Sequence, residues 1–345
     1  MSRVILSPQH PLSAGLTGDS RLVRAYRGER SDTTPVWFMR QAGRSLPEYR
    51  DLRVGTRMLD ACLDPAMASE ITLQPVRRHK VDAGIFFSDI VVPLKLVGVD
   101  VEIQPGRGPV FGRGYADAAG VAELTAVDPA RLDEASGPIT EAVARTVAEL
   151  NRTPPEPVEG GGSASTGSAT ATATPLIGFA GAPFTLAAYL AEGGPSKDHL
   201  AARTLMHADP GAWRALMDWT AELTGRFLRT QVLAGASAAQ LFDSWAGALS
   251  LADYETHVAP ASAKALAHVH DLEHGPRRRE QRRVEARIEH ARADPQVAVL
   301  GQRATRLTHE PDGRGVAALP AIGPRQARIA REAGGQGMLR GEEHA

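Results

Sequence analysis

Two arginines and a glutamine stand close together in the segment Pro35–Arg44, whose other residues are apolar or glycine. Arg40 and Arg44 are four residues apart, and Gln41 lies between them. A guanidinium group presents a planar set of donors that matches carboxylate or phosphate oxygens, and it stays charged at physiological pH. Such a pair also occurs on exposed helix surfaces, but the apolar side chains beside this one favour a binding site. The pattern predicts a site for a ligand with several acidic groups.

Three short apolar segments are each followed by a residue with a polar side chain. They are Val81–Phe87, Pro175–Phe179 and Ala239–Phe242. Asp89 and Ser244 come shortly after the first and the third, and Tyr189 lies in the helix expected after the second. Short apolar runs bounded by turn residues predict buried strands. Asp89 and Ser244 could instead cap helices, and Tyr189 could simply pack in the core. We expect all three side chains to face a common cleft.

Helical segments separate these strands. Asp64 and Pro65 predict a helix start before residues 66–80, because Asp caps free N–H groups and Pro suits the first turn. A second helical pattern covers residues 129–150. Strands that alternate with helices predict a parallel α/β sheet, whose site lies at the carboxyl ends of its strands. Residues 102–114 hold several Gly and Pro residues and predict a turn-rich loop.

Composition limits the classes of function. The chain has 345 residues, 43% of them hydrophobic, and a formal net charge of -1, which argues against a general nucleic-acid binder. The basic stretch Arg277–Arg287 could touch RNA or an acidic membrane, but a solvated helix face accounts for it. Cys62 is the single cysteine, so the chain has no internal disulfide and no thiolate metal cluster. His79, His199 and His207 have no partners at ligand spacing, and we predict no metal site.

The beginning of the sequence has no charged region followed by an apolar one, as a secretory signal would. No apolar run approaches the roughly 18 to 20 residues that a membrane span requires. We therefore expect a cytoplasmic protein.

Several motifs together resemble one enzyme family. In chain order they are Pro35–Arg44, Phe87–Ile90 with Pro93, Gly178–Tyr189 and Phe242–Gly247. They resemble the uroporphyrinogen decarboxylase family, carboxy-lyases that remove carbon dioxide from the four acetate side chains of uroporphyrinogen III and yield coproporphyrinogen III. The resemblance implies a (β/α)8 TIM-barrel-like fold, a homodimer and no cofactor. It also implies that the substrate cleft is lined by Arg40, Gln41, Arg44, Asp89, Tyr189 and Ser244.

The reaction needs the residue types that these motifs contain. Protonation of a pyrrole carbon creates a cation that can accept the electrons left by carbon dioxide. A carboxylate at the centre of the macrocycle would accept hydrogen bonds from the pyrrole N–H groups and stabilise that cation, and Asp89 is our candidate. Arg40 would bind substrate carboxylates and assist proton delivery, while the hydroxyls of Tyr189 and Ser244 would bind carboxylates or orient Asp89. Asp89, Arg40 and Tyr189 are thus the predicted catalytic residues.

The predicted domain organisation has three parts. Residues 1–20 are expected to be a flexible N-terminus, and residues 21–260 a uroporphyrinogen decarboxylase-like barrel domain. Residues 153–174 consist almost entirely of Pro, Glu, Gly, Ser, Ala and Thr and predict a disordered insertion in that domain. Residues 261–345 are rich in Arg, Ala and Gly and lack the family's late Gly-His-Gly motif, so its late active-site histidine has no counterpart. The barrel would then be incomplete at its C-terminal end.

Two alternatives to an active decarboxylase remain open at this point. A chain with an altered C-terminal quarter could be an inactive relic that binds porphyrinogen or forms dimers. A related barrel methyltransferase acting on corrinoid or thiol substrates is the other. It would need zinc held by thiolate and imidazole ligands, which Cys62 alone cannot supply.

A shifted reading frame from near residue 272 would explain the composition of the C-terminal region. No Phe, Tyr, Trp or Cys occurs after Tyr254, and strands are hard to build from what remains. We therefore expect the genomic sequence to encode the missing family motifs in another frame beyond this point. Sequencing that locus checks the hypothesis, and a locus with no family-like sequence in any other frame would contradict it.

Overall fold

The computed structural model describes residues 4–31, 33–39, 46–152, 173–270, 272–273 and 318–319. The predictions for Arg40, Gln41 and Arg44 therefore lie outside the described residues, as do those for positions 153–172 and for almost all positions beyond 273.

Strands of two to six residues provide the sheet structure. They are β1 (Val4–Ile5), β2 (Gly84–Ile85), β3 (Val101–Gln104), β4 (Gly108–Phe111), β5 (Leu176–Gly181), β6 (Ala238–Phe242), β7 (Leu272–Glu273) and β8 (Ala318–Leu319). The largest described sheet is parallel, in the order β2-β5-β6-β8. Strands β1 and β7 form a separate parallel pair. The predicted parallel α/β arrangement is confirmed, and the carboxyl ends of β2, β5 and β6 lie at one edge of the sheet.

Helices precede and connect these strands. They are α1 (Arg21–Tyr26), α2 (Pro47–Leu52), α3 (Met58–Leu63), α4 (Pro65–His79), α5 (Val92–Leu96), α6 (Ala118–Thr125), α7 (Arg131–Ala135), α8 (Gly137–Arg152), α9 (Pro183–Glu192), α10 (Leu200–Ala208), α11 (Pro210–Leu233), α12 (Leu251–His257) and α13 (Ala259–His270), with a short 3-10 helix at Ala246–Ala248. The Asp64 carboxylate accepts a hydrogen bond from the Met67 N–H at 2.9 Å, so α4 begins where its Asp-Pro pair predicts.

Both faces of the parallel sheet are buried. On one face Ile85, Ile177, Phe179 and Ala238 form a small apolar cluster with Leu22 from α1. The residues that alternate with them along the strands, such as Leu176 and Leu241, belong to the main core beneath the helices. Burial on both faces is typical of parallel sheets in α/β proteins. The small cluster therefore covers the face of the sheet opposite the main core.

Helix α11 supplies hydrogen-bond partners to β5. Ile177 C=O accepts from the Phe86 N–H of the β2 segment at 3.0 Å, but beyond this point β2 leaves β5. The Gln231 amide then bonds the Phe179 N–H at 2.9 Å and the Phe179 C=O at 2.8 Å. Thr224 donates to the Gly181 C=O at 3.0 Å. The peptide groups of β5 that β2 does not reach thus have side chains of α11 as their hydrogen-bond partners.

Residues 102–114 differ from the predicted loop. β3 and β4 form an antiparallel hairpin in which Val101 pairs with Phe111. Gly106 and Gly108, with φ of 76° and 95°, make the tight reversal that joins them. The Gly and Pro content indicated the turn correctly, but it concealed the short strands on either side.

The N-terminal residues are packed, which differs from the predicted flexible segment. Leu6, His10 and Leu12 are buried, and His10 Nε2 lies 2.9 Å from the Val232 carbonyl oxygen of α11. At the other boundary, α13 runs through position 261 without interruption and packs on α11. The ordered core therefore extends beyond both limits that composition suggested. None of the helices in the described ranges has the length and apolar character that a bilayer span requires.

Candidate functional site

Asp89 lies in a turn that follows β2 and is held from two directions. The Phe87 N–H donates to Thr72 Oγ1 of α4 at 2.9 Å, which fixes the end of the strand. The Asp89 carboxylate accepts a hydrogen bond from the Val91 N–H at 3.0 Å. The backbone carbonyl oxygen of Asp89 accepts one from the Val92 N–H at the start of α5. Its side chain is half-buried, as expected for a residue at the rim of a cleft.

A glycine in β5 allows this turn to approach closely. A Cβ atom at Gly181 would lie 2.9 Å from the Ile90 Cβ atom and 3.1 Å from a Leu186 methyl carbon. Only glycine fits these distances without displacing its neighbours. The contact places the residue next to Asp89 against the carboxyl end of β5.

Tyr189 lies on α9, the helix that begins directly after β5. The side chain is buried, and its ring meets the Trp245 ring edge-on with centroids 5.8 Å apart. Burial raises the pKa of Tyr189, the negative charge of Asp89 raises it further, and the nearby Trp245 side chain lowers it. The Trp245 indole Nε1 makes no hydrogen bond of standard geometry within the described ranges. The phenol therefore keeps its proton and lies within the electrostatic range of the Asp89 carboxylate.

Ser244 and Trp245 follow β6 at the same edge. The Trp245 ring also packs against His199, with centroids 4.9 Å apart and planes inclined at 41°, and the Trp245 backbone N–H donates to Thr185 Oγ1 at 3.4 Å. Ser244 itself is exposed to solvent. Asp89, Tyr189 and Ser244 thus all follow strands of one parallel sheet at its carboxyl edge, and their common cleft stays a prediction.

The approach to the arginine motif is partly described. The Val36 N–H donates to an Asp82 carboxylate oxygen at 2.7 Å, and the Asp82 N–H donates to the Val36 C=O at 2.8 Å, so this segment runs beside the beginning of β2. Trp37 packs against the small apolar cluster, whereas Phe38 and Met39 are exposed. The segment that leads into Arg40 therefore lies beside the small apolar cluster on this face of the sheet.

Comparison with known proteins identifies the family of this chain. A family model described as uroporphyrinogen decarboxylase (URO-D) matches residues 17–279. The chain belongs to the uroporphyrinogen decarboxylase family. Together with the parallel sheet, this confirms the predicted TIM-barrel-like fold class.

Curated relatives agree with the family model. The chain is 71% identical over 268 residues to a uroporphyrinogen decarboxylase from Leifsonia xyli subsp. xyli, a match that covers 77% of this chain and 66% of the relative. It is 59% identical over 258 residues to one from Arthrobacter sp., covering 75% of this chain and 68% of the relative. A uroporphyrinogen decarboxylase from Streptomyces griseus is 53% identical over 250 residues, and this match covers 72% of this chain and 62% of the relative. The chain thus spans about two thirds of the length of these relatives.

A solved structure agrees with the fold. A methyltransferase from Methanosarcina mazei superimposes with a TM-score of 0.52 at 16% identity, covering 73% of this chain and 67% of the other. At this identity the likeness concerns the fold alone.

Arg53 is a cation beside the buried Cys62 thiol, and sequence reasoning gave it no role. Burial raises the pKa of the Cys62 thiol, the Asp89 charge raises it further, and Arg53 lowers it, so both charges act on one buried thiol. Arg53 is held by the Tyr49 hydroxyl at 2.9 Å and by the Thr56 carbonyl at 3.0 Å. Its buried Nε has no partner among the residues that the structure describes. Arg53 is thus a cation whose charge acts on the same thiol as Asp89, and only the folded chain reveals it.

Asp243 is a buried carboxyl group that sequence reasoning also missed. It follows β6 directly and is 4% exposed. Thr185, in the first turn of α9, donates to one carboxyl oxygen at 2.8 Å, and the other has no partner in the described part of the chain. Burial raises the pKa of Asp243 to about 7, although hydrogen bonds from Thr185 lower it. The sequence signal that could have identified it is its position directly after a buried strand, next to the predicted site residue Ser244.

The raised pKa of Asp243 predicts a loss of stability as the pH rises. The folded-state value of about 7 exceeds the ordinary value of 3.8, so the folded protein binds this proton more tightly than the unfolded chain does. The contribution is fully present at low pH and is lost as the pH rises towards 7. We expect the free energy of unfolding to fall from this source by about 2–3 kcal/mol between about pH 5 and pH 8.

Urea unfolding of the wild type and Asp243→Asn at both pH values checks this. The Asn variant keeps the acceptor for Thr185 but has no proton to lose, so its stability should fall less over the same range. Equal changes in the two proteins would contradict a titrating Asp243.

Proposed function

We propose that this chain decarboxylates uroporphyrinogen III to coproporphyrinogen III without a cofactor. Membership of the uroporphyrinogen decarboxylase family supports this proposal. The observation that carries it within the structure is that Asp89 and Tyr189 both follow neighbouring strands of one parallel sheet at its carboxyl edge, where burial and the negative charge of Asp89 raise the pKa of the Tyr189 phenol. In α/β barrels that edge is where catalytic groups lie.

Asp89 would act as the fixed negative charge of the reaction. Its hydrogen bond from Val91 holds the carboxylate in one orientation, so little reorganisation is needed when substrate binds. The pyrrole N–H groups would donate to the carboxylate. A proton delivered to a ring carbon then gives a cationic macrocycle, which Asp89 stabilises. The bond between the acetate methylene and its carboxyl carbon then breaks, its electrons neutralise the ring, and carbon dioxide leaves. Uptake of a proton by the methylene carbon and loss of the proton from the ring carbon give the methyl group of the product, so each acetate exchanges carbon dioxide for one net proton.

The other predicted residues would hold the acidic side chains of the substrate. Arg40, Arg44 and Gln41 would bind carboxylates through charge-assisted and neutral hydrogen bonds. Arg40 would also assist proton delivery, while Tyr189 and Ser244 would donate from their hydroxyl groups. The phenol suits this role because its raised pKa keeps the donor in place at neutral pH.

Partners and location follow from the same proposal. We infer that the chain acts in the cytoplasm as a homodimer and binds neither nucleic acid nor membranes. The net charge of -1 supports the absence of a nucleic-acid partner.

An inactive porphyrinogen-binding relic is the second candidate. The extent of the matches favours this candidate. The match to the family model ends at residue 279, and the alignment covers 66% of the Leifsonia relative. In this candidate residues 21–260 keep the barrel domain, and residues 261–345 do not replace the family's late motifs. The zinc-dependent methyltransferase is disfavoured, since Cys62 is a buried thiol whose pKa is raised by burial.

Replacing Asp89 by Asn tests the proposed activity. Asn keeps a side-chain oxygen for the Val91 N–H but removes the charge, so the turn should survive while the cation loses its stabilisation. Loss of one preorganised electrostatic group predicts a fall in kcat of about 10²–10³-fold. The assay incubates purified protein anaerobically with uroporphyrinogen III and separates the oxidised products by chromatography.

The controls distinguish the two candidates. Coproporphyrin from the wild type that is lost in Asp89→Asn supports the decarboxylase. Tight binding of uroporphyrinogen without product supports the relic, provided that the thermal unfolding of the protein is cooperative. Equal activity of Asp89→Asn and the wild type would remove Asp89 from the reaction.

Replacing Tyr189 by Phe tests the phenol separately. The aromatic contact with Trp245 is retained, and the lost hydrogen bond predicts a fall in kcat/KM of about 3–10-fold. The same assay measures it, with Tyr115→Phe on the hairpin side as a matched control that should leave kcat/KM unchanged. A Tyr189→Phe variant with wild-type kcat/KM would show that the hydroxyl makes no contact that the reaction uses.

A further inference from the structure

Two histidines and an aspartate converge outside the cleft, between α10 and α12. His207 is the penultimate residue of α10, and Asp253 and His257 lie one helical turn apart on α12. One nitrogen or oxygen atom from each lies within 4.8 Å of the others. The sequence predicted no ligand partners for His207, and spacing within one segment could not show this cluster because the other two residues come from a different helix.

The distances suit a transition metal. His207 Nε2 is 3.5 Å from Asp253 Oδ1. Two ligands of a tetrahedral ion with bonds of about 2.1 Å are about 3.4 Å apart. The His207 and His257 rings have centroids 5.6 Å apart and are inclined at 82°. A small rotation of the half-exposed His257 side chain would bring the third ligand to the same spacing.

The surroundings hold the ligands in place. The Ser250 hydroxyl donates to Asp253 Oδ2 at 2.8 Å, which directs Oδ1 towards His207. Hydrogen bonds of this kind orient the carboxylate ligands of metal sites. The carbonyl oxygen of His257 accepts from the Trp213 Nε1–H of α11 at 3.1 Å, so the end of α12 that carries this histidine is fixed.

Ordinary structural roles explain only part of the cluster. Ser250 caps α12 and bonds Asp253, which accounts for that carboxylate. An ion pair between Asp253 and a protonated His207 would account for one histidine. Neither role explains why a second imidazole lies within 4.8 Å of a ligand atom of both other residues.

We propose that His207, Asp253 and His257 bind Zn²⁺ or a similar divalent transition metal, which ties α10 to α12. Imidazole and carboxylate ligands suit zinc, cobalt and nickel, and His207 is exposed, so water can complete the coordination sphere.

The site is separate from the proposed reaction. Tyr254, next to Asp253, is buried in the main core, so the opposite face of α12 to the ligands is turned inward. The three ligands lie on the outer side of this helix and of α10. A bound ion would join the segment that follows Tyr189 to the segment that follows Ser244, without contacting substrate. The inference therefore does not depend on the decarboxylase activity.

Calorimetric titration of the metal-free full-length chain with Zn²⁺ tests the site. One Zn²⁺ per chain should bind at this site, and bound metal should raise Tm because it binds only the folded state. Each of His207→Ala, His257→Ala and Asp253→Asn should weaken that binding by at least about tenfold, or 1.4 kcal/mol. Asp253→Asn keeps the acceptor for Ser250 and so separates coordination from helix capping.

His79→Ala provides the matched control, since His79 is an exposed histidine on α4. It should leave Zn²⁺ affinity and the metal-dependent rise in Tm unchanged. Co²⁺ gives an independent readout, because its visible absorption reports nitrogen ligands and should be lost in the double variant His207→Ala/His257→Ala. Absence of Zn²⁺ binding overturns the proposal, as does binding that the double variant retains at full strength.

Discussion

The buried peptide groups of β5 impose the constraint on which the rest of the site depends. This strand is covered on both faces and has β6 along one side, but β2 accompanies it only as far as Ile177. Unpaired peptide groups in such a place would be costly. Gln231 and Thr224 of α11 supply the missing partners, and the gap that they fill allows the Asp89 turn to separate from the sheet.

Close packing at this edge also determines its electrostatics. Tyr189 and Asp243 are both buried, and burial raises the pKa of each. The edge therefore contains a protonated phenol and a carboxyl group that titrates near neutral pH, besides the half-exposed carboxylate of Asp89. Within a medium that excludes water, the charge of that carboxylate acts over a longer range than in solvent. This explains why Asp89 influences both Tyr189 and the buried Cys62 thiol.

Local signals in the sequence were reliable where one physical cause was dominant. Asp64 and Pro65 determine the start of α4, because an N-cap and a fixed φ act without help from the rest of the fold. The apolar runs before Asp89 and Ser244 indicated strands for the same reason. The hairpin of β3 and β4 was not predicted, because its glycines and prolines are typical of a loop. Its two strands form only by pairing with each other. The packing of residues 4–20 was not predicted because the partners of His10 and Thr17, Val232 and Ser237, lie 222 and 220 positions further along the chain.

The sequence by itself determined the family, the parallel α/β architecture and the candidates Arg40, Gln41, Arg44, Asp89, Tyr189 and Ser244, because motifs and strand ends are local features of the chain. Only the tertiary structure decided which groups meet. Asp243 is buried, and Arg53 acts on the same thiol as Asp89. His207 approaches ligands that lie 46 and 50 positions further along the chain. Such contacts depend on how helices pack, and no spacing within a single segment records that.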